Sequence, residues 1–507
     1  MNFVEPILRL GKLQPEAAAL IDGDRTITYG ELAVLVLRTA GQLASLGVRA
    51  EDRVGLCLKD TWEHLVTLLA VGRMGAVIVP IDWRARPAEK ARVADALGIK
   101  LILVEPGSQS IIGCPNVMLD SSWHRAVALA DPPPDLPSDW HAPFVILSTS
   151  GTTGAPKFML ATHLQYYVSR TLLELMSLPW RCRYLSAIPL CFSAGLRQCL
   201  VHLQHGNSII LYPPLVSAEE YIELVAKHKA TVGYVVPTMI RQLLRLAEGR
   251  GFLLPNMDAL ICASAPIHAE EKIEAARKLT PNFFDYYGAT AIGMIALLRP
   301  SDLPEWAASV GRSHPITELE IVDGQDLPLP SGAVGRLRCR GPTLSVGLDG
   351  PSGWERANES FHDGWYYPGD LAALGDRGYL FLKGRASDLI IRSGTKIHPI
   401  EIEAALQEHG DVLEAAVLGR RTADNDTEVV AFVMVRRPVE VGALMAHCRA
   451  HLTPYKVPRE IRIVGELPKN ASGKVNKVAL RQQLDEQDWQ QGRSDAPPGD
   501  DLIPANE

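Results

Sequence analysis

Phe-Val-Ile-Leu-Ser-Thr-Ser-Gly-Thr-Thr-Gly-Ala-Pro-Lys, residues 144–157, runs an apolar segment into a string of small hydroxyl residues and glycines that closes on a lysine. The apolar start predicts a buried strand, and a helix is expected after the string. Ser148, Thr149, Ser150, Gly151, Thr152, Thr153 and Gly154 suit a polyphosphate: glycines let backbone N–H groups approach it, hydroxyls add donors, and Lys157 adds a point charge. The spacing differs from the GxxxxGK[ST] of P-loop nucleoside triphosphatases. A generic kinase or ATPase is therefore disfavoured.

Outward from this loop, helical-period segments (EEYIELVAKHKA, AEEKIEAARKL) alternate with short strand-like runs (DRVGLCL, AVIVPI, KLILVE, NSIILY, TVGYVV, ALICAS). That alternation predicts an α/β fold on mainly parallel sheets. From about Leu319 closely spaced strands and turns (LEIVDG, GRLRCRG, GYLFLKG) predict a smaller, partly antiparallel β subdomain. After Arg385 come a helix around IEIEAALQEHG, strands at EAAVLGR and EVVAFVMV, and a helix around VGALMAHCRAHL, enough for a small α+β domain. The expected organisation is a large N-terminal domain over 1–385, a C-terminal domain over 386–487 and a polar, disordered tail over 488–507. The proline-rich stretch 130–143 reads as a surface connection.

A chain of 507 residues exceeds one hydrophobic core, and 47% hydrophobic with 21% charged residues is ordinary for a globular protein. Lys and Arg total 51 against 58 Asp and Glu, a formal charge of −7, and no long basic run appears. Nucleic acid and anionic membrane are thereby disfavoured as partners. The first residues carry no export pattern, and the most apolar stretch, LVTLLAVGRMGAVIVPI, is interrupted by Arg73 and reads as a buried helix entering a strand, not a membrane span. Eight scattered cysteines without a CxxC pair fit a reducing cytoplasm. Base rates for assemblies favour a homodimer.

Further motifs follow the phosphate loop in order: Ser264-Ala265-Pro266; Asp285-Tyr286-Tyr287-Gly288-Ala289-Thr290; Gly364-Trp365-Tyr366-Tyr367-Pro368-Gly369-Asp370; Gly384-Arg385; Ser393-Gly394; and Pro468-Lys469-Asn470-Ala471-Ser472-Gly473-Lys474. Singly each has an ordinary reading. An aspartate after glycine is commonly a turn residue, a lysine after Ser-Gly a solvated one, and tyrosines pack with a polar tip. Together, from about residue 10 to 485, they resemble the adenylate-forming superfamily of acyl-CoA synthetases, peptide-synthetase adenylation domains and firefly-type luciferases.

That resemblance implies an ATP-dependent acid–thiol ligase that makes an acyl-adenylate and then a thioester, with ATP, Mg²⁺ and coenzyme A. It implies that Ser264, Ala265 and Pro266 lie against adenine, that Asp285 through Thr290 hold adenine and the α-phosphate, and that Asp370 and Arg385 bind the ribose. A carboxylate suits the last task because it accepts two hydroxyl hydrogen bonds, each charge-assisted. It places Ser393 and Gly394 beside the CoA tunnel, makes Lys474 the adenylation lysine with Thr290 and Lys157 on the phosphates, and makes Ser387 the hinge of a mobile C-terminal domain. Phe192, Leu196, Tyr234, Val235, Ile292 and Met294 are expected to line an apolar acyl pocket. The absence of an aspartate at 189–195 disfavours an α-amino acid.

The chain departs from the family at Ala291, where glutamate usually helps to hold Mg²⁺, at Phe158 in place of glycine, and at Pro368 in place of threonine. A methyl group cannot ligate a hard cation, so the residues that hold the metal stay open. Two alternatives also stay open: an acyl-AMP ligase that loads a separate carrier protein, and a degenerate binder of acyl groups or nucleotides.

Overall fold

The computed structural model describes residues 2–134, 139–149, 157–212, 217–247, 249, 251–348, 360–392, 395–422, 427–469 and 474–484. The chain divides into two compact units, Met1–Leu382 and Lys383–Glu507. The division falls inside the strand Leu380–Arg385, whose last residue is the sequence-expected end of the first domain.

The first unit holds two large sheets built mostly of parallel strands. In one, the strands Phe283–Ala289, Ala259–Ala263, Val232–Val235, Arg183–Ser186, Ser208–Leu211 and Ala18–Asp22 run parallel in that spatial order. Antiparallel strands flank them, Gly293–Leu298 on one side and Arg25–Thr28 on the other. The other sheet sets Pro143–Thr149, Val77–Pro80, Arg53–Cys57, Leu101–Val104 and Asn116–Met118 in a parallel row. Strands buried on both faces need continuous apolar runs rather than alternation. Ala259–Ala263 and Leu101–Val104 are buried at every residue.

Period-two geometry sends neighbouring side chains of each strand to opposite faces. Tyr234, Ile261, Phe284 and Tyr286 join the large core between the sheets, whereas Val235, Leu260, Cys262 and Phe283 pack on the far side, beneath the helices Ala218–His228, Pro237–Leu246 and Ala269–Lys278. Capping chemistry starts the first of these helices. Ser217 accepts from the Glu220 amide, and the Glu220 carboxylate accepts from the Ser217 amide in return.

The apolar stretch around Arg73 folds as expected, as the buried helix Trp62–Arg73 followed by the strand Val77–Pro80. Arg73 is 4% exposed and its charge is met by Glu5 at 3.1 Å. No helix among the described residues is long and apolar enough to cross a membrane.

A third, antiparallel sheet carries Glu318–Val322, Gly335–Arg340, Trp365–Tyr366 and Asp370–Leu374. It is the predicted β subdomain. The second unit packs the helices Pro399–Gln407 and Val441–His451 on a sheet of Val412–Arg421, Thr427–Val435 and Glu460–Ile463. Their shared core is Ile402, Leu406, Val417, Val429, Leu444 and Cys448. The expected tail, 488–507, lies outside the described residues.

One local expectation is corrected. The phosphate string is followed not by a helix but by the strand Lys157–Thr162, antiparallel to Pro143–Thr149 with Thr149 opposite Lys157. Phe158, Met159 and Leu160 are buried and need a two-faced apolar setting, which a central strand supplies. The helix His163–Val168 comes only after it.

Candidate active site

In an open parallel sheet, ligands bind beyond the carboxyl ends of the strands, where backbone groups and loops are free of the ladder. Four adjacent parallel strands end in segments singled out from the sequence. Arg183–Ser186 leads to 189–195, Val232–Val235 carries Tyr234, Ala259–Ala263 runs into Ser264-Ala265-Pro266, and Phe283–Ala289 runs into Thr290. The fold thus brings motifs from distant parts of the chain to one edge.

Ser264 leaves its strand with φ at +76°, in the left-handed region that costs a non-glycine residue energy. Ser264 and Ala265 are half-buried, and Pro266 is exposed. The turn therefore presents a small, accessible surface beside the Phe283–Ala289 strand.

In the aromatic-glycine motif the alternation of faces sorts the side chains. Tyr286 points into the intersheet core, where its ring meets Tyr234 edge-on at 5.7 Å between centroids. Asp285 points the other way, 4% exposed, and its carboxylate lies 2.6 Å from the Lys272 ammonium. Lys272, on the helix Ala269–Lys278, also donates to the Ser309 carbonyl at 2.7 Å. Burial raises the Asp285 pKa against the pull of Lys272. The carboxylate that the resemblance assigned to nucleotide binding ties this strand to its helix.

Tyr287 packs toward the β subdomain, and its hydroxyl donates to Asp370, at the start of the strand Asp370–Leu374. The expected ribose carboxylate is thereby held by a motif residue. Gly288 must remain glycine, because a Cβ there would stand 2.4 Å from the Gly293 carbonyl oxygen. Ala289 and Thr290 are half-buried.

The expected pocket residues separate. Leu196, Tyr234 and Met294 share the intersheet core with Tyr286; Val235 belongs to the core on the opposite face, and Ile292 to the cluster under the β subdomain. Phe192 is half-buried at the start of the helix Ser193–Gln204, with the Arg84 guanidinium 5.8 Å from its ring centre. Behind it the Leu190 amide donates to Asp60 at 2.8 Å. Burial pushes that carboxyl up to about 6.

In the second unit, Arg385 and Ser387 are exposed, and Ser387 donates to Asp388 at 3.1 Å within the short turn Ala386–Asp388. Lys474 is exposed beside a bridge between Lys469 and Val475, and the Asn476 amide donates to the Pro468 carbonyl at 2.7 Å. Ser150, Gly151, Thr152, Thr153, Gly154, Ser393 and Gly394, and the side chain of Lys157, lie outside the described residues.

Ala291 is fully buried among Ile292, Ile295 and Tyr366, and its carbonyl accepts from the Ser345 amide at 2.6 Å. A methyl group in an apolar cluster offers nothing to Mg²⁺, so this position does not fit a metal ligand. Among the described residues, one group of three metal-capable side chains comes together, Glu408, His447 and His451, with ligand atoms within 4.8 Å of one another. It belongs to the second unit.

The sequence reading missed Lys272 and Arg197. Both are polar residues in segments that the structure buries; the signal for Arg197 was its place in GLRQCLVHLQ, a helix buried throughout from Gly195 to Gln204.

A two-unit α/β chain whose parallel strands end in a strained serine turn and an aromatic-glycine motif, with a tyrosine of that motif holding an aspartate of the β subdomain, belongs to the class of nucleotide-binding enzymes. The chain is a member of the AMP-binding enzyme family, whose profile matches residues 9–348, with the AMP-binding enzyme C-terminal domain matching 401–474. Relatives include a feruloyl-CoA synthase of an Amycolatopsis species, 30% identical, covering 94% of this chain and 98% of the relative. An indoleacetate–CoA ligase of Aromatoleum aromaticum is 29% identical, with 95% and 98% covered. Among solved structures, ATP-bound MatB from Rhodopseudomonas palustris superposes with a TM-score of 0.87 at 26% identity, covering 96% of this chain and 100% of that one. The o-succinylbenzoate CoA synthetase from Bacillus subtilis, in complex with its acyl-adenylate, gives 0.84 at 25% identity, covering 94% and 97%.

Proposed function

We propose that this AMP-binding enzyme is an ATP-dependent acid–CoA ligase acting on an aryl or otherwise largely apolar carboxylic acid. The observation that carries the reading is the Tyr287–Asp370 pair at the end of the Phe283–Ala289 strand, in a chain that matches CoA ligases over nearly its whole length.

A carboxylate has no leaving group, so coupling it to a thiol first requires phosphate-ester chemistry. Its oxygen attacks the α-phosphorus of ATP, pyrophosphate leaves, and the thiol then displaces AMP from the mixed anhydride. No protein nucleophile is needed; positioning and charge stabilisation carry the rate. Asp370, steadied by Tyr287, accepts the ribose hydroxyls, with Arg385 assisting. Ser264, Ala265 and Pro266 lie against the adenine, and Thr290 with the 150–157 segment holds phosphate oxygens. Lys474 supplies positive charge to the acyl carboxylate and the α-phosphate. Mg²⁺, when bound to the polyphosphate, offsets its negative charge. Aryl relatives and the aromatic and aliphatic surroundings of Leu196, Tyr234 and Met294 support the substrate class. Eight free cysteines suit the cytoplasm, and the protein is proposed to act there as a homodimer.

The test is pyrophosphate release from MgATP over a panel of aryl, arylalkyl and aliphatic acids, with CoA or a carrier-bound pantetheine as acceptor. Acid-dependent release with a CoA thioester as product supports the reading. Transfer only to the carrier makes the protein an acyl-AMP ligase. Ala291 favours one further outcome, adenylate binding without turnover, which would make the chain a binder.

A further inference from the structure

Arg197 lies on the helix Ser193–Gln204 and is 3% exposed. One guanidinium nitrogen, Nη1, donates to the Ser169 hydroxyl at 2.5 Å. The group lies over the Tyr166 ring, with its carbon 4.6 Å from the ring centre. It also presses against Gly293: Cζ and Nε would stand 3.3 Å from a Cβ built there. The remaining two nitrogens, Nε and Nη2, have no partner, and among the described residues no carboxylate comes within 4.0 Å of the group. The Tyr166 hydroxyl and the Gln198 side-chain oxygen are likewise buried without partners.

A buried guanidinium with a single neutral acceptor is expensive, because the water it gave up is replaced by one hydrogen bond and a ring face. Arginine cannot shed its proton to escape that cost. Its unpaired side is the buried Nε–Nη2 edge, two parallel N–H donors spaced to receive both oxygens of a carboxylate. Three residues of the expected acyl site, Leu196, Tyr234 and Met294, belong to the same core as the Tyr166 ring it lies over. Leu196 precedes it on the helix, Met294 follows the glycine it touches, and Tyr166 shares one core with Leu196, Tyr234, Tyr286 and Met294.

We infer that Arg197 forms an anion subsite beside residues expected to line the acyl pocket, and that the preferred substrate is an acid carrying a second carboxylate remote from the one that is activated. The inference rests on the acid-ligase reading and sharpens its substrate class. The distal carboxylate occupies the Nε–Nη2 edge, and the Ser169 bond and the Tyr166 ring hold the guanidinium flat to meet it. A monoacid of the same length leaves the edge unmet, and a site that loses a buried polar partner discriminates strongly.

The experiment uses the full-length protein, wild type and the Arg197→Met and Arg197→Lys variants, on matched pairs of aryl and alkyl acids with and without a terminal carboxylate. Two quantities are read: kcat/KM for pyrophosphate release with MgATP and CoA, and the shift in melting temperature produced by non-hydrolysable acyl-sulfamoyl adenosines of each pair. The expected result is a diacid-to-monoacid ratio that favours the diacid in the wild type and falls on the order of 100-fold in Arg197→Met. Arg197→Lys keeps the charge without the planar edge and should fall in between. A wild type that prefers the monoacid, or an unchanged ratio in Arg197→Met, overturns the inference while leaving the ligase reading intact. If no acid releases pyrophosphate, the ligase reading falls, and the melting shifts still decide. A diacid analogue that stabilises the wild type more than Arg197→Met supports the subsite, and equal shifts refute it. Should Arg197→Met fail to fold, the same comparison with Arg197→Lys settles the point.

Discussion

Replacing Lys272 by methionine breaks the buried ion pair that fastens the aromatic-glycine strand to its helix. The two groups are 2.6 Å apart with side chains 3% and 6% exposed, so water cannot solvate whichever charge is left. Removing one partner of such a pair costs about 3–5 kcal/mol, whereas replacing both is near neutral. With an unfolding entropy of about 2.1 cal/mol/K per residue, the 382-residue first unit has roughly 0.8 kcal/mol/K, so a loss of about 4 kcal/mol lowers its melting temperature by about 5 °C. Scanning calorimetry on wild type, Lys272→Met, Asp285→Asn and the double variant closes the cycle. Each single substitution should lower the first unit's transition by that amount, and the double should recover most of it. Single variants that melt within about 1 °C of wild type, or a double variant less stable than either single, would refute the idea that Asp285 works as a structural anchor.

Tyr287→Phe removes the donor that steadies Asp370; a hydrogen bond to a charged group is worth about 1.5–3 kcal/mol, so the KM for ATP should rise at least about 10-fold in steady-state assays. Lys474→Ala should slow acid-dependent pyrophosphate release by about 10²–10³-fold. Since Lys474 is exposed, its melting temperature should stay within about 1 °C of wild type. Acidification should destabilise the fold. Burial holds His64 at about 4 and His202 at about 3, below the unfolded value of 6.5, so their contribution is whole above pH 6.5 and lost as pH falls toward those values. Asp60, raised by burial to about 6, works in the opposite direction and regains stability over the same interval. Burial holds His163 and His314 at about 4 as well, so between pH 7 and 5 each of these four histidines loses about 1.8 kcal/mol and Asp60 returns about 1.3, a net loss of about 6 kcal/mol that urea midpoints at the two pH values would read.

Local composition was enough for the α/β class, the β subdomain, the α+β second unit and most element positions. Apolar period and turn residues act over a few neighbours, and runs such as ALICAS and KLILVE have no other way to be buried. The chemical motifs were legible in the same way, because a phosphate string or a Gly-Asp pair is a local pattern. Which way each side chain points is not local. Asp285 and Tyr286 are adjacent in sequence, yet the pleat sends one to Lys272 and the other to the intersheet core. The same alternation parts Tyr234 from Val235. The strand at Lys157–Thr162 displaced an expected helix because Pro143–Thr149 offered it a ladder partner, a choice made by pairing and not by propensity. Arg197 is one of several polar residues in GLRQCLVHLQ; only packing from Tyr166, Ser169 and Gly293, all remote in sequence, buried it and left its Nε–Nη2 edge unpaired. The sequence by itself therefore determined the fold class and the nucleotide chemistry, which depend on short-range pattern. The partners of each buried charge were decided by tertiary structure, since they depend on which distant segments the sheets bring together.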